Sequence, residues 1–462
     1  MTFNKKYTLH FFVLCFLIFE NSCTKFITVG PPKTELVSAT VFSSDAAANA
    51  AVVGIYSQMM ASQDFASLNI TLYGAISADE FIDYSSDPFR RQFYFNGLTA
   101  SNTDVTGFWG DAFQYIHAAN AVIEGLQENK NVSPQNIKQL TGEALFIRSF
   151  CNFYLVNFFG KIPLITGTNY QVNAAASRMD RTIVYNQIIA DLQAASDSLP
   201  GDYSFSQGEK TRPNKWAAEA FLARVFLYTG DWTNAITLST AVINNSSAFS
   251  MDSDVNQVFL KNNPEAIWQL APVTARQNTY DGFAFILTGN PTSTFGQVSL
   301  TNIVMNAFDS NDYRRINWIG TFADATGTYY FPFKYKQQSS VTATEYLTVF
   351  RLAEQYLIRS EALAEQNNIN ASLADLNVIR NRAGLSNSNA NDQQSLFIAI
   401  TQERQKEFFT EWGHRWLDLK RSGTIDEVLS VEKSGWKSTD TLYPIPQTEI
   451  QKDINLTQNP GY

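Results

Sequence analysis

From Ser43 to Met60 the chain reads SSDAAANAAVVGIYSQMM, with apolar residues returning every third and fourth position behind a Ser-Asp start. That spacing lays one apolar stripe along a helix, and the polar start supplies a cap for its first free N–H groups. The same period predicts helices over about 112–129, 136–158, 181–199, 214–228, 232–245, 351–366, 370–383 and 392–411. Between about 246 and 350 the period breaks. Asn, Ser, Thr, Gly and aromatic residues mix there with short alternating runs such as TYYFPFKYK, which predict loops and hairpins on which specificity can be built. The stretch AEAFLARVFLYTGDWTNAITLSTAVI places Leu222, Ala223, Phe226, Gly230, Trp232 and Ala235 near tetratricopeptide spacing. Similar pairs are expected around GEALFIRSFCNFYLVNFFGKIPL and LAEQYLIRSEALAEQNNINASLADLNVIRNR, at unequal intervals, so the reading is of helix pairs interrupted by insertions rather than a regular array.

The N-terminus follows another pattern. Lys5 and Lys6 precede HFFVLCFLIF, which is shorter than the roughly 20 residues needed to span a bilayer but suits a secretory leader. Ser22 is followed directly by Cys23, the arrangement used when lipid is attached to the cysteine. Residues 1–22 are therefore expected to be a lipoprotein signal peptide and Cys23 the lipidated first residue of the mature chain. The buried acyl methylenes would hold it at a membrane.

Composition narrows the function. The chain has 462 residues, 45% of them apolar, and a formal charge of -9. It lacks the basic stripe that displaces counterions from phosphate, so nucleic acid is not expected as a partner. Three histidines and three cysteines leave few parts for metal sites or nucleophilic catalysis, and no cofactor is expected. Cys151 reads as a small core residue. Patterns for zinc hydrolases, phosphate loops, dinucleotide binding and nucleophile elbows do not occur.

Several segments, in order, resemble the SusD/RagB family of outer-membrane nutrient-binding lipoproteins of Bacteroidota. These are CTKFITVGPPKTEL, GEALFIRSFCNFYLVNFFGKIPLI, RLAEQYLIRSEALAE, LNVIRNRAGL, ERQKEFFTEWGHRWLDLKRSG and LYPIPQTEIQKDINLTQNPGY. Glu20 stands where the lipobox commonly has Leu, and Ile27-Thr28 where a Leu-Asp pair is common. The resemblance implies a mainly α, SusD-like fold with tetratricopeptide-like helix pairs plus a loop-rich, partly β ligand-binding region. Its N-terminal region would run over 23–245 and its C-terminal region over 246–462. It further implies no catalysis and a SusC-like TonB-dependent barrel as partner, with the chain facing the exterior as a hinged lid.

Glu403, Glu407 and Glu411 recur at four-residue intervals on one helical face. An acid/base cluster is possible chemistry, but Arg380, Arg382, Arg404, Arg415 and Arg421 lie near in sequence, and a structural ion network is the expectation. His414 and Trp416 read as packed residues beyond a stop at Gly413. Saccharides need flat apolar faces for C–H stacking and convergent polar groups for hydroxyls. On that chemistry the candidates are Asp79, Tyr84 and Arg90 in SADEFIDYSSDPFRRQF, Asn278 and Tyr280 in ARQNTYDGF, and Asn317 and Trp318 in RRINWIG. The loop aromatics Tyr280 and Trp318 are expected to face the barrel. Two other functions stand beside glycan capture: an assembly or lid subunit with little affinity of its own, and a glycoside hydrolase, for which no carboxylate pair can be named.

Overall fold

A computed structural model describes residues 41–462. The leader and Cys23 lie outside the described residues. Cys151 is a buried free thiol.

The predicted helices form, with boundaries set by their caps. Helix α1 (Asp45–Met59) starts where the Ser44 side chain accepts from the Ala47 N–H. A π-turn over Phe65–Asn69 leads into α2 (Ile70–Ser77), followed by α3 (Pro88–Tyr94). Helix α4 (Thr103–Leu126) begins well before the expected 112, because the Asn102 side chain accepts from the Asp104 and Val105 N–H groups. It is followed by α5 (Pro134–Phe159), α6 (Arg181–Ser198), α7 (Lys215–Thr229) and α8 (Trp232–Asn244). Gly230, at φ 78°, takes the left-handed conformation that ends α7, and the Asp231 side chain caps α8 one residue later. Short helices α9 (Tyr280–Phe285), α10 (Asn302–Ala307) and α11 (Tyr313–Trp318) occupy the region read as loops. The chain then forms α12 (Leu352–Glu365), α13 (Ile369–Arg382), α14 (Gln393–Phe408) and α15 (His414–Arg421).

Helices α4, α5, α6, α7, α8, α12 and α13 each pack on the next in that order, so the tetratricopeptide-like pair α7–α8 continues into α12–α13. The α8–α12 contact crosses residue 245, where the two sequence regions meet. Small residues make these contacts close: Ala217, Ala218, Ala220 and Ala223 on α7 are all fully buried. Phe146, Phe150, Phe221, Trp268 and Phe350 stack edge-on or tilted at the centre of the largest core. Gly74 and Gly413 let α2 and the start of α15 touch, since a Cβ on Gly74 would lie 2.7 Å from the Gly413 Cα.

The strands are few and paired two by two, all antiparallel. β1 (Phe81–Asp83) pairs with β3 (Val298–Leu300), and β2 (Ala266–Leu270) with β6 (Leu347–Arg351). β4 (Ile319–Asp324) and β5 (Gly327–Pro332) make the hairpin that contains the first half of TYYFPFKYK.

The three glutamates do form a buried ion network, with Arg380 and Arg382 as expected but with Arg314, Arg351 and Lys334 in place of Arg404, Arg415 and Arg421. Glu407 meets Arg314 at 2.9 Å and also Arg351 and Arg382. Burial alone would raise its pKa, but Arg382, Arg351 and Arg314 hold the Glu407 carboxyl well below the usual range. Glu403 meets Arg314 at 2.6 Å and Arg380 at 3.1 Å, and Glu411 meets Arg351 at 3.0 Å and Lys334. Arg404, Arg415 and Arg421 serve other partners, namely Asp418, Asp79, and Asp418 with Glu361. Adjacent helix positions such as 403 and 404 point to different sides. The chain also turns through positive φ at Thr410, Trp412 and Gly413 before α15, which sends Arg415 and Arg421 elsewhere. His414 is buried and stacked on Phe408 with ring centroids 4.7 Å apart. Burial, with Arg224 and Arg404 nearby, lowers its pKa far below the usual value, so it stays neutral.

Candidate functional site

Strand β1 ends beside the surface and hands the chain to Tyr84, whose N–H donates to the Gln297 carbonyl at 2.8 Å. Its hydroxyl shares a 3.1 Å hydrogen bond with Ser299 on the partner strand β3. Arg90, at the start of α3, is clamped by Asp83 at 3.0 Å and donates to the Gly296 carbonyl, so it ties the β1 end to the loop before β3. Arg91 donates to the Asp83 carbonyl at 2.8 Å. Burial raises the Asp83 pKa against the pull of Arg90.

The hairpin β4–β5 brings Tyr329 to the same place. The rings of Tyr84 and Tyr329 stand 5.9 Å apart at 81°, both half-buried, giving one edge and one face. At the hairpin tip, Thr326 shares a 2.8 Å hydrogen bond with the Tyr329 hydroxyl. Asn290 donates to Thr326 at 2.8 Å and to Asp324 at 3.2 Å. Hydrogen bonds from the Thr326 hydroxyl and N–H hold the exposed Asp324 carboxyl below the usual pKa. Nearby, Phe295 is 43% exposed and packs against Phe283 at 4.6 Å. Together these residues form an aromatic surface rimmed by amide, carboxylate and hydroxyl groups already oriented by one another. That chemistry stacks on C–H faces and exchanges hydrogen bonds with hydroxyls.

The sequence candidates divide accordingly. Tyr84 and Arg90 belong to this surface. Asp79 is buried and taken up by Arg415 through bonds of 2.8 and 2.6 Å, although it borders a neighbouring cavity. Asn278 is buried and donates to Thr344 at 3.2 Å. Tyr280 and Trp318 are helical rather than loop residues, and neither presents an exposed ring. Tyr280 is 7% exposed, with its hydroxyl on the Ala61 carbonyl at 3.3 Å. Trp318 is fully buried, donates to the Val255 carbonyl at 2.8 Å and roofs the ion network with Lys334 4.9 Å from its ring. The expectation that these two face a partner therefore fails, because both rings are packed into the main apolar core, Trp318 also against Lys334 of the ion network. Asn317 is half-buried, accepting from Asn256 at 2.9 Å and donating to the Tyr313 carbonyl. Asn290, Asp324, Thr326 and Phe295 carry no local signal in the sequence, whereas the alternation in TYYFPFKYK places Tyr329 on a hairpin.

Residues 25–227 match a family profile described as "Starch-binding associating with outer membrane", and residues 321–462 match one described as "SusD family". The chain belongs to the SusD/RagB family. It is 27% identical to SusD-like protein P2 of Formosa agariphila, over 99% of this chain and all of that one. It is also 34% identical to starch-binding protein SusD of Bacteroides thetaiotaomicron, over 25% of this chain and 21% of that one. A SusD superfamily crystal structure from Bacteroides vulgatus superposes with a TM-score of 0.80 at 20% identity, covering 91% of this chain and all of that one. A laminarin-binding SusD-like protein superposes with a TM-score of 0.75 at 24% identity, with coverage of 91% and 100%. The mainly α SusD fold is thus shared. Among the described residues, no helix of this SusD/RagB chain is long and apolar enough to cross a membrane.

Proposed function

We propose that the chain is a glycan-binding lipoprotein, anchored at the outer membrane through lipid on Cys23 and facing the exterior, that captures a saccharide and passes it to a SusC-like TonB-dependent barrel as its lid. The observation that carries the binding half is the Tyr84–Tyr329 aromatic pair rimmed by Asn290, Asp324 and Thr326. Saccharide recognition asks for those groups in that proximity. Family membership supports the reading, as do a starch-binding relative and a laminarin-binding structural neighbour. No bond chemistry is assigned to the site, where the Asp324 carboxylate is already held by Asn290 and Thr326.

The test has two arms. A glycan array that includes laminarin- and starch-derived oligosaccharides should show binding to at least one class. Mild detergent extraction followed by affinity purification of the tagged chain should recover a large outer-membrane barrel in comparable amount. Binding without a barrel would favour a free-standing receptor, and a barrel without binding would favour a lid subunit with negligible affinity. Release of shortened products would show a hydrolase.

A further inference from the structure

Among the described residues, ion pairs join six cations, Arg314, Lys334, Arg351, Arg380, Arg382 and Lys406, to five carboxylates, Glu265, Asp312, Glu403, Glu407 and Glu411. The cluster therefore holds one positive charge that its own carboxylates do not balance. Lys406 is its loosest member. The residue is 6% exposed, yet its ammonium has no hydrogen bond among the described residues and only Glu403, at 3.7 Å, as an ion partner. That carboxylate is already shared, with Arg380 at 3.1 Å on the same oxygen and Arg314 at 2.6 Å on the other. Its ammonium therefore keeps its donors for a partner arriving from the cavity that it borders.

Lys406 borders a cavity of about 860 Å³ together with Arg380 of α13 and Arg415 of α15. Each arginine has spent part of its donor fork on protein. Arg380 uses Nε on the Ser386 carbonyl and Nη1 on Glu403, and Arg415 uses Nε and Nη2 on Asp79. The remaining terminal nitrogen of each has no acceptor among the described residues. Asn387 and Gln402 add amides to the wall, which the acids Asp79, Asp309 and Glu432 also line. None of these groups belongs to the Tyr84–Tyr329 surface.

We propose that this cavity is a second ligand site, one that receives an oxyanion, carboxylate or sulfate, carried on the glycan. The Lys406 ammonium with two part-used guanidinium forks supplies donors for several anionic oxygens at once. The proposal rests on the reading of the chain as a glycan-binding protein, and it adds that acidic glycans gain affinity at a place remote in composition from the aromatic surface.

The test uses the full mature chain and four probes in calorimetry: oligogalacturonate, a sulfated galactan oligosaccharide, a neutral laminari-oligosaccharide and inorganic sulfate. At least one acidic oligosaccharide should bind, with affinity that falls as salt rises. Lys406→Met should weaken that binding about tenfold or more and leave the thermal midpoint of the unliganded protein unchanged or higher. Arg380→Gln, at a half-exposed position, should weaken it too, and it serves as the readout if Lys406→Met does not fold. Tyr329→Ala tests the other surface: loss of neutral binding there with acidic binding kept separates the two sites, while neutral binding alone in the native protein would overturn the cavity proposal and spare the glycan reading. The proposal is also overturned if no acidic probe binds, if Lys406→Met and Arg380→Gln bind acidic probes as the native chain does, or if inorganic sulfate competes fully at equal concentration, which would make the site one for free anions.

Discussion

Glu80→Gln should make the protein's stability less dependent on pH, and the effect can be worked from its surroundings. Glu80 is 1% exposed, accepts from the Thr410 N–H at 3.1 Å and lies beside Asp79 and Arg415. Burial, and then the neighbouring Asp79 charge, push its pKa up to about 8 against the pull of the Thr410 N–H and Arg415. In the unfolded chain the same carboxyl ionises near 4.5. Between those values the folded state binds more protons than the unfolded state, so this group makes stability fall as pH rises. At about 1.4 kcal/mol per pH unit the loss reaches roughly 4 kcal/mol by about pH 8. Glutamine keeps an oxygen for the Thr410 N–H but cannot ionise. Denaturant unfolding of both proteins at several pH values gives the difference directly, and other titrating groups cancel in it. The variant should resemble the native chain near pH 4.5 and gain on it steadily toward pH 8. A difference that stays flat across that range would mean Arg415 keeps Glu80 ionised in the fold, and the reasoning would be wrong.

Three further outcomes are expected. Gly74→Ala should lower stability by roughly 1–3 kcal/mol, because its Cβ meets the Gly413 backbone rather than a movable side chain, and an unchanged denaturation midpoint would show that α2 and α15 separate at little cost. Arg224→Met should cost about 3–5 kcal/mol by stranding Glu354, which Arg224 meets at 2.5 and 2.7 Å across α7 and α12, and adding Glu354→Leu should recover most of the loss. Cys23→Ala should move the protein from the membrane fraction to the soluble one, a result checked by fractionation after a salt wash; retention would contradict lipid anchoring.

What the sequence disclosed and what it hid follow from the physics of each element. Long amphipathic helices announce themselves because apolar positions repeat along one face, so α5 to α8 and α12 to α14 appear within a few residues of their predicted bounds. The start of α4 was missed because a single capping side chain, Asn102, sets it rather than any period. The glutamate spacing is legible, but α14 stops at Phe408, so Glu411 joins the network from the turn beyond the helix, and the main cations Arg314 and Arg351 arrive from α11 and β6, far along the chain. The candidate site was half legible. Tyr84 sits on a local turn beside charged residues, which sequence shows. Trp318 resembled it in every local respect, and only the three-dimensional arrangement reveals that Trp318 roofs a buried ion cluster while Tyr329, unremarkable in its strand, reaches the surface. An aromatic ring beside a polar residue is equally suited to core and to ligand, and burial decides between them.

The Tyr84–Tyr329 surface of this SusD/RagB chain is proposed to bind glycan. Isothermal titration of the mature protein and its Tyr329→Ala variant, with the neutral oligosaccharide that ranks first on the array, puts this to the test. Tyr329 supplies a ring face and a hydroxyl held by Thr326, so its removal should weaken binding about tenfold or more, a cost of roughly 1.4 kcal/mol or above, with the melting temperature little changed. Equal affinity in the folded variant, or native protein that binds no glycan at all, would contradict the account.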